Sequence, residues 1–158
     1  GVTVIEAVGA GVKETPIAEF LERSASSDGT SRVLVGRIEG GARELIPSAI
    51  DVSRSFLGRP YDTVFMMDDS AFYCSELLYE SFRIANRGEA IFALFPMTFK
   101  DPATSATFPA WTSYYAALGA PIPEGEPGLN PGGMSRAPFV RIVHAYGAPA
   151  GWTGNTSP

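Results

Sequence analysis

The stretch Tyr73-Cys74-Ser75-Glu76-Leu77-Leu78-Tyr79-Glu80-Ser81-Phe82 constrains the fold more than any other, because it reads as one amphipathic helix opening on the chain's single cysteine. Small or apolar residues recur at Cys74, Leu77, Leu78, Ser81, Phe82 and Ala85, the spacing of a single buried stripe on an α-helix. That stripe turns Cys74 inward at the first turn. Asp68, Asp69, Ser70, Glu76 and Glu80 gather towards the amino end, and Arg83 and Arg87 occupy the last turn before Gly88. The helix dipole and a glycine C-cap favour that distribution, so a helix is predicted from Cys74 to Asn86. A thiol at a helix amino terminus meets unpaired N–H groups and the positive end of the dipole, which favour the nucleophilic thiolate. The same position also suits a small core residue, and spacing alone does not choose between the two.

The rest of the composition bounds the class. A chain of 158 residues with 45% hydrophobic and 18% charged residues is long and apolar enough for one globular domain with its own core. Residues 1–146 are expected to form it, with 147–158 as a flexible tail of Gly, Pro, Ser and Thr. A formal charge of −5 without a basic patch argues against nucleic acid as a partner. No apolar run in the sequence reaches the length of a membrane span, and no basic-then-apolar leader is visible in it. One cysteine makes no internal disulfide, and no set of Cys and His has zinc spacing, so neither a metal nor another cofactor is expected. Gly1 leads straight into a strand-like run, which suggests that residues precede it.

In chain order, Val2 to Val8 alternates as a strand, with Val2, Val4 and Glu6 on one face and Thr3, Ile5 and Ala7 on the other. Glu6 must lie at an exposed edge or be paired, because an isolated buried carboxylate is costly. Thr15 is read as the N-cap of a short helix from Pro16 to Arg23. Arg32 to Ile38 is a second strand, and Ala42 to Gly58 a helical pattern interrupted near Pro47. Trp111 to Leu118 is a short aromatic helix whose Trp111, Tyr114 and Tyr115 either wall a pocket or fill the core. The loop Gly119 to Pro138 leads to a last strand, Phe139 to Tyr146, carrying the single histidine, His144, read as a core histidine. Asn155-Thr156-Ser157 fits a glycosylation acceptor, too weak a pattern to use.

Several motifs carry a resemblance. Leu57-Gly58-Arg59-Pro60-Tyr61-Asp62, Phe65, Asp68-Asp69 and Tyr73-Cys74-Ser75-Glu76 resemble the nucleophile segment of the YiiX-like permuted papain-fold amidases, relatives of the NlpC-type cell-wall peptidases. Val4-Ile5-Glu6-Ala7-Val8-Gly9, Val12-Lys13 and Thr15-Pro16 are similar to that family's opening strand and helix entry, and Arg37-Ile38-Glu39-Gly40-Gly41 and Ser135-Arg136-Ala137-Pro138 to later strand entries. The resemblance implies an α+β, permuted papain-like (NlpC-type) fold, with an antiparallel sheet holding both Val2–Val8 and Phe139–Tyr146 packed on the nucleophile helix. It implies that Cys74 is the catalytic nucleophile and that Glu6 is the group orienting a catalytic histidine. Tyr61 and Asp62 lie near the cysteine in the family, which makes Tyr61 a substrate-contacting candidate, and Tyr73, just before the nucleophile, is a possible oxyanion donor. Glu6 is then expected to point towards Cys74.

The family's histidine lies shortly before the Glu6 motif, and this chain has none there. Either the chain lacks its amino-terminal part or the protein is an inactive relative. Three function classes stay open. The first is a thiol amidase or peptidase, with cell-envelope peptides as the substrate class of the nearest relatives; the second is a lipid acyltransferase or thioesterase of the same superfamily; the third is a binding module without catalysis. A peptide, amide or lipid-acyl substrate and a periplasmic or extracytoplasmic location are what the resemblance implies.

Overall fold

The alternation at the amino end folds as an antiparallel hairpin, β1 (Thr3–Val8) and β2 (Gly11–Pro16), in which Glu6 pairs with Lys13 and Ala7 with Val12. The structure, a computed structural model, describes residues 1–67, 70–149 and 151–154. Asp68 and Asp69, expected at the entry to the cysteine helix, and Asn155-Thr156-Ser157 lie outside the described residues. The hairpin shows why Gly11 stands where it does. Its φ is +100°, and a Cβ there would sit 2.5 Å from the carbonyl oxygen of Arg59. That close approach lets the Val12 N–H donate to the Arg59 carbonyl at 2.9 Å and the Gly58 N–H donate to the Val12 carbonyl at 2.9 Å. The chain leading to the cysteine is thereby hooked to the hairpin.

Helix α1 (Ile17–Arg23) follows β2 directly. Thr15 is a strand residue, not its N-cap; its hydroxyl donates to Glu6 instead. Strand β3 (Val33–Ile38) leads to a single stretch of 3-10 helix, Gly40–Leu45, and then α2 (Ile46–Ser55), with Pro47 in the first turn where its missing N–H does no harm. Helix α3 (Cys74–Ala85) runs against α2, joined by a 2.8 Å hydrogen bond from the Ser53 hydroxyl to that of Ser81. It ends as expected near Gly88, whose N–H donates to the Arg83 carbonyl at 2.8 Å.

Beyond α3 come the short strand β4 (Phe95–Pro96), helix α4 (Pro109–Leu118), β5 (Pro127–Gly128), helix α5 (Pro131–Ser135) and β6 (Val140–Tyr146). Among the described residues the strands form three two-stranded antiparallel sheets, β1–β2, β3–β6 and β4–β5. The first and last long strands therefore do not share one sheet as expected; β6 pairs with β3, from Val33 opposite Tyr146 to Ile38 opposite Val140. The α+β architecture and the packing of α3 on antiparallel strands are as expected. One core cluster gathers Ala49, Tyr73, Tyr79, Phe82, Phe92 and Leu129, and a second joins Ala7, Val12, Phe72 and Leu77. Both clusters take residues from α3, Tyr79 and Phe82 in the first and Leu77 in the second.

Candidate active site

Cys74 is the first residue of α3 and is exposed, not turned inward. The reason lies in which residues its helix buries. Ser75, Glu76, Leu77, Tyr79, Glu80, Ser81 and Phe82 take the covered side, while Leu78, one turn on from Cys74, is exposed. Leu77, Ser81 and Phe82 of the stripe read from the sequence are buried as expected, while Cys74 and Leu78 face solvent and the carboxylates Glu76 and Glu80 join the covered side. Glu76, 1% exposed, accepts the N–H of Tyr73 at 3.2 Å and so closes the first turn from inside. Glu80 is held by Arg83, whose Nε and guanidinium NH2 donate to it at 2.7–3.0 Å. The Cys74 Sγ lies 3.8 Å from the Ser75 hydroxyl.

The approach to Cys74 is built by Pro60 to Phe72. The Asp62 N–H donates to the Phe72 carbonyl at 3.2 Å and the Phe72 N–H to the Pro60 carbonyl at 3.1 Å, closing the intervening loop two residues before the cysteine. The Asp62 carboxylate, 5% exposed, accepts the N–H groups of Val64 and Met66, each at 2.7 Å. Tyr61 stands half-buried beside this closure. Burial first, then the electrostatic influence of Cys74, Tyr114 and Asp62, push its phenol up to about 12, so at neutral pH it keeps its O–H as a donor.

Tyr73, the N-cap residue, is placed differently from the expectation of an oxyanion donor. Its side chain is 2% exposed; its hydroxyl accepts the Leu129 N–H at 3.3 Å and donates to the Met67 Sδ at 3.3 Å. Burial above all, opposed by the Leu129 N–H and reinforced by Glu76, Asp62 and Cys74, pushes that phenol up to about 12. Tyr73 is a pillar beneath the helix start. Its hydroxyl faces the interior.

Glu6 is not brought to Cys74. The face of the hairpin that packs towards α3 carries Ala7 and Val12, with Ile5 beside them, and strand alternation sends Glu6 to the other face. There its carboxylate accepts the Thr15 hydroxyl at 2.6 Å and pairs with Arg23 of α1. His144 is exposed on β6 rather than buried in the core, with its ring edge-on to Tyr146 at 4.6 Å. What sequence reasoning missed is the conformation and surroundings of Phe65, which it placed only as part of the nucleophile segment. Phe65 sits at φ +57°, in the middle of the loop before Cys74, surrounded by rings of Tyr61, Tyr73, Trp111 and Tyr114. No glycine or asparagine marks the turn, so nothing in the text announced it.

The geometry now stands beside known proteins. The model of the permuted papain-like amidase enzyme, YaeF/YiiX, C92 family matches residues 1–144. The uncharacterized protein YiiX of Escherichia coli (strain K12) is 32% identical over 83 residues, 52% of this chain and 39% of that protein, so the match spans about two fifths of the relative's length. A crystal structure of metalloprotein yiiX from Escherichia coli O157:H7 superposes with a TM-score of 0.68 at 26% identity, covering 90% of this chain and 75% of that one. The metal belongs to that protein's description; among the described residues of this chain no three or more of His, Cys, Asp and Glu come together as a metal would require. The match over residues 1–144 and the shared fold have one conclusion: this chain belongs to the permuted papain-like amidase family.

Proposed function

We propose that the protein is a thiol hydrolase of amide or peptide bonds, with Cys74 as its nucleophile and cell-envelope peptides as its substrate class, in a periplasmic or other extracytoplasmic setting. The observation that carries this reading is the exposed thiol on the first residue of α3 in a chain of the amidase family. The Cys74 thiol gives up its proton, the Sγ thiolate attacks the carbonyl carbon, the C–N bond breaks, and the departing amine takes up one proton, balancing the one the thiol lost, while the acyl group stays as a thioester on Cys74. Water then attacks the thioester carbonyl, the C–S bond breaks, and a carboxylic acid and the free thiol result. The backbone N–H of Cys74, at the start of the helix where no intrahelical partner exists, suits the developing oxyanion. Tyr61 donates its O–H to the substrate. Tyr73 holds the helix start from beneath, and Glu6 holds α1 to the hairpin, so neither takes part in a bond-making step.

A thioesterase or acyltransferase on lipid acyl groups is the second reading; an apolar groove beside Cys74 would favour it, and the apolar cavity of about 460 Å³ lined by Ile91, Phe92, Phe95, Leu129, Met134 and Phe139 does not have Cys74 in its lining. Incubation with matched acyl amides, peptides and acyl thioesters, followed by mass spectrometry of the products, separates the two. Amide or peptide cleavage that disappears in Cys74→Ala supports the first reading. Cleavage of thioesters alone supports the second, and amide cleavage that survives Cys74→Ala contradicts Cys74 as nucleophile.

A further inference from the structure

Phe65 is the one bulky residue among the described positions that adopts a left-handed backbone conformation in the middle of a loop; the other non-glycine cases are Arg87, just past the end of α3, and Ser105, in an exposed turn. For a residue of this size the conformation is costly, and it persists only where the surroundings over-determine it. They do so here from two sides. The buried Asp62 carboxylate accepts the N–H of Val64 and of Met66, the residues flanking Phe65, while from α4 Tyr114 donates its hydroxyl to the Thr63 carbonyl at 2.8 Å and Tyr115 donates to that of Val64 at 3.1 Å. The ring this produces lies 6.3 Å from Tyr61, 5.7 Å from Tyr73, 5.8 Å from Trp111 and 6.2 Å from Tyr114, centroid to centroid.

Of these rings only Tyr73 is buried; Tyr61, Phe65, Trp111 and Tyr114 each keep part of their surface in solvent. A core would cover them. Instead a half-open aromatic wall runs from α4 to Tyr61, which is tied by a backbone bridge to Phe72, two residues before Cys74, and whose phenol feels the Cys74 thiol electrostatically. We propose that Phe65 is a positioning residue, and that Tyr61, Trp111 and Tyr114, set around it, form a specificity subsite beside Cys74 for an aromatic or flat apolar group of the substrate. This rests on Cys74 being the nucleophile and adds the kind of side group it accepts.

Alkylation of Cys74 tests it without knowledge of the natural substrate. The thiolate displaces chloride from chloroacetamide or from N-benzyl-chloroacetamide, forming an S–C bond as the C–Cl bond breaks, and the ratio of the two rates is compared with that of free N-acetylcysteine. The protein is expected to favour the benzyl reagent by about three- to tenfold over the free thiol, the worth of one aromatic contact. Trp111→Ala and Tyr61→Leu should bring the ratio back towards that of the free thiol. Phe65→Gly relieves the backbone conformation while removing the ring, so it should stay folded by circular dichroism yet lose the preference, and Phe65→Tyr should keep it. A fast reaction with the free-thiol ratio in the unmutated protein overturns the subsite but leaves Cys74 as nucleophile. A preference unchanged in Phe65→Gly overturns the positioning role. A thiol inert to both reagents until the protein is unfolded overturns the subsite together with the reading on which it rests.

Discussion

Glu76 shows how a single side chain decides what the cysteine can do. With 1% of its surface exposed, its carboxylate accepts the Tyr73 N–H and sits in the first turn of α3, where the dipole favours a negative charge. Replacing it by alanine removes a charged hydrogen bond from a closed interior, and Glu76→Ala is expected to cost about 2 kcal/mol of stability in urea unfolding; a midpoint equal to that of the unmutated protein would show the bond to be dispensable. His144 makes the opposite case. It lies in solvent against Tyr146, and His144→Ala is expected to leave the alkylation rate of Cys74 unchanged across the neutral pH range. A drop on that substitution would assign the imidazole to the thiol. The residue types at the site were legible in the text: Cys74 at a helix start, Glu76 at its third position, Tyr61 and Asp62 upstream. Their directions were not. The stripe of small and apolar residues pointed Cys74 inward, because periodicity counts an alanine-sized thiol as core and cannot foresee that Glu76 and Glu80 find partners good enough to be buried in its place.

At the scale of elements, local pattern was a better guide than pairing. The alternation of β1, the start and end of α3 and the break before Pro47 are set by neighbours a few residues apart and were readable, whereas β2, which the glycines and Thr15-Pro16 made look like a turn into a helix, was not. The partnership of β3 with β6 joins strands some hundred residues apart, as the ion pair from Arg141 to Glu39 at 2.6 Å shows, and nothing local encodes it. Thr15 failed as an N-cap for a related reason: it lies in β2, where its hydroxyl donates to Glu6 across the hairpin instead of accepting an N–H from the first turn of α1. The contact between the hairpin and the cysteine loop offers the clearest test. Gly11→Ala must place a Cβ 2.5 Å from the Arg59 carbonyl oxygen at φ +100°. A left-handed non-glycine residue alone costs on the order of 1–2 kcal/mol, and the backbone must also part, so the substitution is expected to lower stability by at least about 2 kcal/mol. Gly40→Ala, with φ +63° but nothing within 4 Å, is the control that carries the conformational cost alone. Equal losses at the two positions would contradict the hook between β2 and the cysteine loop.

For the molecule as a whole, the tyrosines around the cysteine link its protonation to its stability. Tyr61 and Tyr73 titrate at about 12 in the folded protein against 10.0 for an ordinary phenol, chiefly because burial penalises the phenolate. A group whose folded value is raised stabilises the fold while both states keep the proton, and loses that contribution once the unfolded chain ionises more readily. Stability is therefore expected to be insensitive to these two groups below about pH 10 and to fall between 10 and 12. Phenolate absorbance followed alongside circular dichroism checks this; unfolding that comes before the rise of the last phenolates fits, and full ionisation in a still-folded protein does not. The same assembly of helix start, aromatic loop and exposed thiol is what the functional reading rests on, and one measurement reaches it most directly. The protein is mixed with p-nitrophenyl acetate, quenched in acid within the first turnover, and its peptides are mapped by mass spectrometry. The account predicts an acetyl thioester on Cys74, formed together with a stoichiometric release of nitrophenol and absent from Cys74→Ala, whereas acetylation confined to lysines or the amino terminus, with Cys74 unmodified, would contradict it.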